Sequence, residues 1–264
     1  MSARPDTLEL LLFTTDVGFA QNAERAGIDG FMVDWESKGK TDRQHGHDME
    51  INTDTAEDLA RLAAAVTHPI TVRVNALGPN TPDEVNLALD RGASGLMLPM
   101  AKTSEEVARF LQIVDGRART IIQVETQALV EEVEALAQMT WDCVYVGLHD
   151  LMLTRQATSM WQAVLDGTVE HVFRTLQGRS VGFAGATVIG GGHPIRFTQI
   201  LQELARLEAR LTFLRRSFRR EIQDRDVAAE ISTLRKAWSA CKARGPEAVK
   251  SDRSVLYNDL QRLV

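Results

Sequence analysis

Residues 95–126 read GLMLPMAKTSEEVARFLQIVDGRARTIIQVET. Two short apolar runs, GLMLPM (95–100) and TIIQVET (120–126), flank SEEVARFLQIV, whose apolar residues fall at helical spacing. A nearly continuous apolar run predicts a strand covered on both faces. Two such strands joined through a helix run parallel, because a parallel pair needs a long crossover. The same unit recurs in both directions along the chain. Upstream lie LELLLFTT (8–15), GFMVDWE (30–36) and PITVRVN (69–75), with AEDLARLAAAV and DEVNLALDRG as helical segments. Downstream lie CVYVGLHDL (143–151), VGFAGAT (181–187) and ARLTFLRR (209–216), with ALVEEVEALAQM between strands five and six.

Eight strand runs alternating with helices over about 250 residues predict an α/β fold of the (β/α)8 type, a TIM barrel. An open doubly wound sheet fits less well: the first strand leads into TTDVGF, which has one glycine and no G-x-G-x-x-G turn. Residues 1–242 are expected to form the barrel, ending in a helix near 226–242. ARGPEAVKSD then breaks the pattern, and SVLYNDLQRL resumes a short amphipathic helix. Residues 243–264 therefore read as a C-terminal helical extension, packing on the barrel or on a neighbouring subunit.

Composition agrees with a core of ordinary size: 44% of residues are hydrophobic and 25% charged. No apolar run reaches the roughly 18 residues of a membrane span, and MSARPDTLELLLF lacks the features of a signal peptide. Cys143 and Cys241 show no pairing pattern and read as buried thiols in a reducing cytoplasm, so the expected location is cytoplasmic. The net charge of −6 is unevenly spread: Leu207–Val264 holds 13 basic and 8 acidic residues, the remainder 17 and 28. The basic stretch LRRSFRRE lacks interleaved aromatics in an acidic chain, so no nucleic-acid partner is expected. It reads as solvated rim or subunit contact, with Arg215 or Arg216 facing the barrel mouth as the alternative.

In such a barrel, functional side chains sit where the strands end at their C-terminal face. Strand two ends in Asp34 and Glu36, strand three in Arg73 and Asn75, strand five in Gln123 and Glu125, and strand six in His149 and Asp150. Two carboxylates on adjacent loops suit a hard divalent cation such as Mg²⁺ or Mn²⁺. An arginine nearby holds a carboxylate in a bidentate fork. A lone acid at a strand end usually caps a helix or solvates a loop; several converging on one mouth leave both readings open. Gly190–Gly192, after strand seven, would let backbone N–H groups approach an anion, though such a loop reads more simply as a connector.

The series GIDGFMVDWES, VRVN, GASGLMLPMAKTSEEV, IIQVETQALVEEVEAL and VYVGLHDLML, in this order from Gly27 to Leu153, resembles the HpcH/HpaI aldolase and citrate lyase family. The resemblance implies a metal-dependent barrel acting on pyruvate- or oxaloacetate-type enolates or on acyl-CoA thioesters. It implies Glu125 and Asp150 as ligands of Mg²⁺ or Mn²⁺, and Arg73 as the arginine binding the substrate carboxylate and enolate oxygen. Asp34 and Glu36 match the acidic pair supporting the metal's water shell, with Asp34 also a catalytic candidate. Asn75, Gln123 and His149 are candidates for substrate contact. The pyruvate aldolase branch has a proton-transferring histidine where this chain has Ser37. His45 and His47, in the following KGKTDRQHGHDME loop, are the candidates to replace it, with an exposed-loop role as the simpler reading. His149 is a second departure, because relatives carry a small residue, proline or asparagine there.

The expected activity is a carbon–carbon lyase acting through the enolate of a 2-oxo acid. A CoA-thioester lyase of the citrate lyase β-subunit or malyl-CoA lyase type is the alternative. A barrel that keeps the metal site without turnover is the alternative from another class. The partners implied are a small 2-oxo acid or acyl-CoA substrate, no membrane, and further copies of the chain in a homo-oligomer.

Overall fold

The computed structural model describes residues 7–37 and 54–264. The eight strands are β1 (Glu9–Phe13), β2 (Gly30–Asp34), β3 (Ile70–Arg73), β4 (Gly95–Leu98), β5 (Arg119–Val124), β6 (Cys143–Val146), β7 (Ser180–Phe183) and β8 (Leu211–Leu214). Each pairs in parallel with the next, and β8 pairs with β1, so the sheet closes as a (β/α)8 barrel. Closure leaves no unpaired edge.

Alternation along each strand decides what faces inward. Leu10, Leu12, Phe31, Val33, Leu96, Leu98, Ile122 and Val124 face the helices and belong to the large outer core. Leu11, Met32, Met97, Ile121, Cys143, Tyr145, Leu211 and Phe213 fill the barrel interior. The inward row continues past the interior layer into the mouth: Met32 to Asp34, Thr71 to Arg73, Ile121 to Gln123 and Glu125, Leu211 to Phe213 and Arg215. At the opposite end Arg119 pairs with Glu9, and its Nη2 donates to the Cys143 sulfur at 2.9 Å.

Short strand-to-helix turns keep the mouth compact. Thr103 caps the helix Ser104–Val114 by accepting from Glu106 N, and Thr126 caps Gln127–Glu131 by accepting from Leu129 N. Thr55 and Asp58 form a reciprocal capping box ahead of Ala56–Ala63.

The C-terminal segment departs from the expected pattern. The break within ARGPEAVKSD is confined to residues 243–245: the preceding helix ends at Lys242, Gly245 is the N-cap and Pro246 the first helical residue of Pro246–Gln261. Proline is tolerated there because its missing N–H has no helical partner at that position. The helix buries Leu256 and Leu260 and packs on Phe197–Arg206 on the barrel exterior. Asp259 accepts from Gln199 Nε2 at 2.9 Å, and the Tyr257 hydroxyl donates to Val164 O at 3.0 Å. Cys143 is buried as expected, whereas Cys241 lies only half-buried on the outer helix Val227–Lys242. Among the described residues, no helix is long and apolar enough to cross a membrane.

Candidate active site

Asp34 and Arg73 are the last residues of adjacent strands and register partners. The Arg73 guanidinium donates from Nε to Asp34 Oδ1 at 2.8 Å and from Nη2 to Oδ2 at 2.7 Å, a bidentate fork. Glu36 Oε2 lies 3.4 Å from Nη1. Burial alone would weaken Arg73's hold on its proton. The Asp34 fork, with Glu36 and Glu125, more than reverses this and raises its pKa. Arg73 is thus a permanently charged, oriented donor.

Glu125, one residue past β5, is 1% exposed. Its Oε1 accepts from Met100 N at 2.9 Å, and its Oε2 accepts from Gln123 Nε2. Met100 holds φ 57°, the left-handed region that non-glycine residues seldom adopt. Thr126 Oγ1 donates to Ala101 O at 2.6 Å, tying the Glu125 loop to the Met100 loop. Because the acidic partner fixes which end of Gln123 is the amine, its Oε1 faces away from Glu125. That oxygen is buried without a hydrogen-bond partner. Asp150 enters from the first turn of Leu148–Arg155. Burial raises the Glu125 pKa well above the carboxylate range, and the charges of Asp150 and Glu36 add to the rise. Arg73 and the Met100 N–H oppose it.

These groups open into a cavity of about 540 Å³. Arg73, Gln123, Glu125, His149 and Asp150 all line it. Asn75 is turned toward its neighbours: its N and Nδ2 donate to Glu84, each at 3.0 Å, and its Oδ1 accepts from Ser37 N at 3.0 Å. His45 and His47 lie outside the described residues.

Sequence reasoning missed two elements of this site. Asp54, in the segment before Ala56–Ala63, accepts from Asp34 N at 2.9 Å and from Thr15 Oγ1 at 3.4 Å. Burial, then the charges of Asp34 and Asp58, raise its pKa against the Asp34 N–H and Thr15 bonds. No local pattern marks it; only the closed barrel brings it to β2. The second is the Met100 N–H, a backbone group with no side-chain signature. Arg215, for which the mouth was the alternative to a solvated rim or subunit contact, lines the cavity. Here the signal was available, since alternation from Leu211 and Phe213 points residue 215 inward. The glycine loop after β7 holds the protein's own anion: a Cβ on Gly191 would collide with the Glu221 carboxylate, which also accepts from Thr187 Oγ1 at 2.8 Å.

A carboxylate whose ionisation is opposed by burial and by the charge of a neighbouring acid, as that of Glu125 is, sits in an environment a cation would relieve. Glu125 and Asp150 fit a hard divalent ion held by few protein ligands, the remainder coming from water or substrate. Among the described residues no cluster of three or more His, Cys, Asp or Glu is placed to bind a metal.

Fold and site together define a (β/α)8 barrel with an acidic, arginine-containing mouth. The family model described as HpcH/HpaI aldolase/citrate lyase matches residues 12–163. The chain belongs to that family, which includes aldolases and CoA-ester lyases and is typically dependent on a divalent metal. Among solved structures it is similar to the citrate synthase SbnG, at 18% identity and TM-score 0.61, over 88% of this chain and 94% of that one. It is also similar to RipC from Yersinia pestis, at 16% identity and TM-score 0.55, over 88% and 96%. A tryptophan synthase α-subunit mutant from Pyrococcus furiosus matches at 11% and 0.57, over 91% and 100%. At these identities the likeness is one of fold. No curated protein matches the sequence.

Proposed function

We propose that this protein is a divalent-metal-dependent carbon–carbon lyase that makes or breaks the bond next to the enolate of a pyruvate- or oxaloacetate-type 2-oxo acid. The observation that carries this reading is the convergence, in one cavity, of an oriented arginine and two buried carboxylates. Glu125 and Asp150 would hold Mg²⁺ or Mn²⁺, which when bound supplies Lewis-acid stabilisation of negative charge on the substrate's oxygens.

The chain's own residues do the rest. Arg73, clamped by Asp34 and Glu36, presents its remaining N–H to the substrate's carboxylate or keto oxygen. Because Asp34 already fixes the guanidinium plane, little reorganisation is needed as charge develops there. The Gln123 carbonyl oxygen offers a buried acceptor beside Glu125, suited to a substrate hydroxyl. The closed, largely apolar barrel interior keeps bulk water from beneath the site. In the cleaving direction the hydroxyl of a 4-hydroxy-2-oxo acid gives up its proton, the C3–C4 bond breaks to an aldehyde and an enolate, and the enolate carbon takes up a proton. His149 lines the cavity beside Asp150, and His45 and His47 remain the loop candidates for that proton.

Thermal denaturation tests the reading. Oxalate, as a mimic of the planar enolate, should raise the melting temperature only with Mn²⁺ or Mg²⁺ present, since only native-state binding stabilises. In D₂O, the methyl protons of pyruvate should exchange in the presence of enzyme and metal. Absence of both effects sinks the proposal. Metal-dependent stabilisation by a CoA thioester alone would move the assignment to the thioester lyases. Metal and oxalate binding without exchange would point to a barrel without turnover.

A further inference from the structure

Asp150 rides on a helix that apolar packing holds loosely. Leu148–Arg155 buries two apolar side chains, Leu148 and Leu151, whereas Phe197–Arg206 buries five. The start of the Asp150 helix is fixed from the barrel. Gly147, its N-cap, donates from N to Val124 O at 3.0 Å and lies directly against Glu125. The far end is held by Arg155, whose side chain is 14% exposed. Its Nε donates to Gln127 Oε1, its Nη1 to Asp166 Oδ2 at 3.1 Å and its Nη2 to Thr168 Oγ1 at 2.9 Å. Gln127 opens the helix Gln127–Glu131, two places past Glu125. Its Nε2 donates to Glu131 Oε1 at 2.8 Å, which leaves Oε1 as the acceptor for Arg155. Asp166 and Thr168 lie at the start of Thr168–Thr175, a helix anchored by buried Val169, Val172 and Phe173. One planar fork thus ties the element carrying Asp150 to the segment carrying Glu125. Thr154 is the weaker tie, its hydroxyl lying 3.1 Å from Leu151 O and 3.4 Å from Glu125 O.

Held at both ends, the helix acts on Asp150 as a lever. At a rise of ~1.5 Å per residue, Asp150 stands about 4.5 Å and Arg155 about 12 Å along the axis from Gly147. A swing of about 1 Å at Arg155 therefore moves Asp150 by about 0.4 Å. That small distance separates two kinds of ion. Oxygens at right angles on Mg²⁺, bonded at ~2.1 Å, stand about 3.0 Å apart, and on Ca²⁺, bonded at ~2.4 Å, about 3.4 Å apart. The charge of Asp150 opposes that of Glu125, so an untied helix relaxes toward the wider spacing.

On the reading above that Glu125 and Asp150 hold a divalent cation, we propose that Arg155 is a positioning residue for that cation. By holding the far end of the Asp150 helix to Gln127, it keeps the two ligand carboxylates at the spacing of a small ion. It thereby sets the preference of the site for Mg²⁺ over Ca²⁺, although it touches neither the ion nor its ligands.

Calorimetric titration of the full chain with Mg²⁺ and with Ca²⁺ reads the ratio of the two affinities. Arg155→Met should shift that ratio toward Ca²⁺ at least fivefold. Gln127→Leu, which leaves Arg155 on Asp166 and Thr168, should shift it the same way and carries the test if Arg155→Met does not fold. Arg155→Lys should recover part of the loss, since an ammonium can still meet Gln127 but lacks the fork. The double variant should match Arg155→Met alone, because both changes remove the same bond. A merely structural role would lower the melting temperature and leave the ratio where it was. An unchanged ratio in the variants that fold overturns the proposal and leaves the metal site standing. An unmodified chain that takes up neither ion, or ions that Asp150→Asn still binds, overturn it together with the metal reading.

Discussion

The side chain that Gly147 lacks would stand where Glu125 sits: a Cβ built on Gly147 falls 2.5 Å from Glu125 Oε2 and 2.8 Å from its Cβ. The glycine is required by close approach and not by backbone conformation, since its φ is −88°. Glu125 cannot step aside without giving up its bonds to Met100 N or Gln123. Gly147→Ala should therefore cost about 1–3 kcal/mol as an overpacked site. It should also abolish the Mn²⁺-dependent rise in melting temperature. An alanine variant that keeps both stability and metal response would show that Glu125 is free to move and is no ligand.

The fold and much of this site could be read from the chain. The eight apolar runs contain or adjoin every strand, because strands buried on both faces carry their signal locally, in composition. Asp34, Arg73, Gln123 and Glu125 were legible because strand alternation carries the inward row to the mouth. What was illegible depends on closure or on backbone. Asp54 reaches β2 from a segment with no motif. The Met100 N–H belongs to a residue whose side chain says nothing of its φ. The C-terminal helix was read too short because Pro246 looks like a breaker unless its place at the first turn is known.

Met100 supplies the second hold on Glu125 from a left-handed backbone. A β-branched residue is disfavoured there far more than an unbranched one. Met100→Val should destabilise by about 1–3 kcal/mol and weaken Mn²⁺ binding, whereas Met100→Leu should cost less than about 1.5 kcal/mol. Urea unfolding and a manganese titration of the two variants check this. Similar behaviour of Val and Leu would mean the N–H does not position the carboxylate.

The C-terminal helix is pinned by charge as well as by Leu256 and Leu260. Burial would raise the Glu170 pKa, but Arg206, Arg253 and Arg174 outweigh it and hold it below the ordinary value near 4.5. Arg253 belongs to the C-terminal helix, and Arg174 Nη2 lies 3.1 Å from Glu170 Oε1. A depressed carboxylate stabilises the fold fully above its unfolded pKa and loses that contribution as pH falls through the folded value. Glu170→Gln should lower the melting temperature at pH 7 and remove part of its decline below about pH 4.5. Parallel melting curves for variant and parent from pH 7 to pH 3 would contradict this.

The Asp34–Arg73 pair sets an order of losses that a merely structural pair would not. Asp34→Ala leaves Arg73 facing Glu36, which is 3.4 Å from Nη1. Arg73→Met instead removes the cation that faces two carboxylates, each at most 2% exposed. Breaking one side of a buried ion pair costs about 3–5 kcal/mol, so both variants should be severely destabilised, Arg73→Met the more so. The double variant should be more stable than the sum of the two losses allows, because no cation is stranded. Mn²⁺ should narrow the gap for Arg73→Met if Glu125 and Asp150 are its ligands, since an added cation offsets part of the excess negative charge in the same mouth. Urea unfolding of the three variants with and without Mn²⁺ reads all of this. The reverse order, with Asp34→Ala the worse, would mean that Glu36 contributes nothing to holding Arg73.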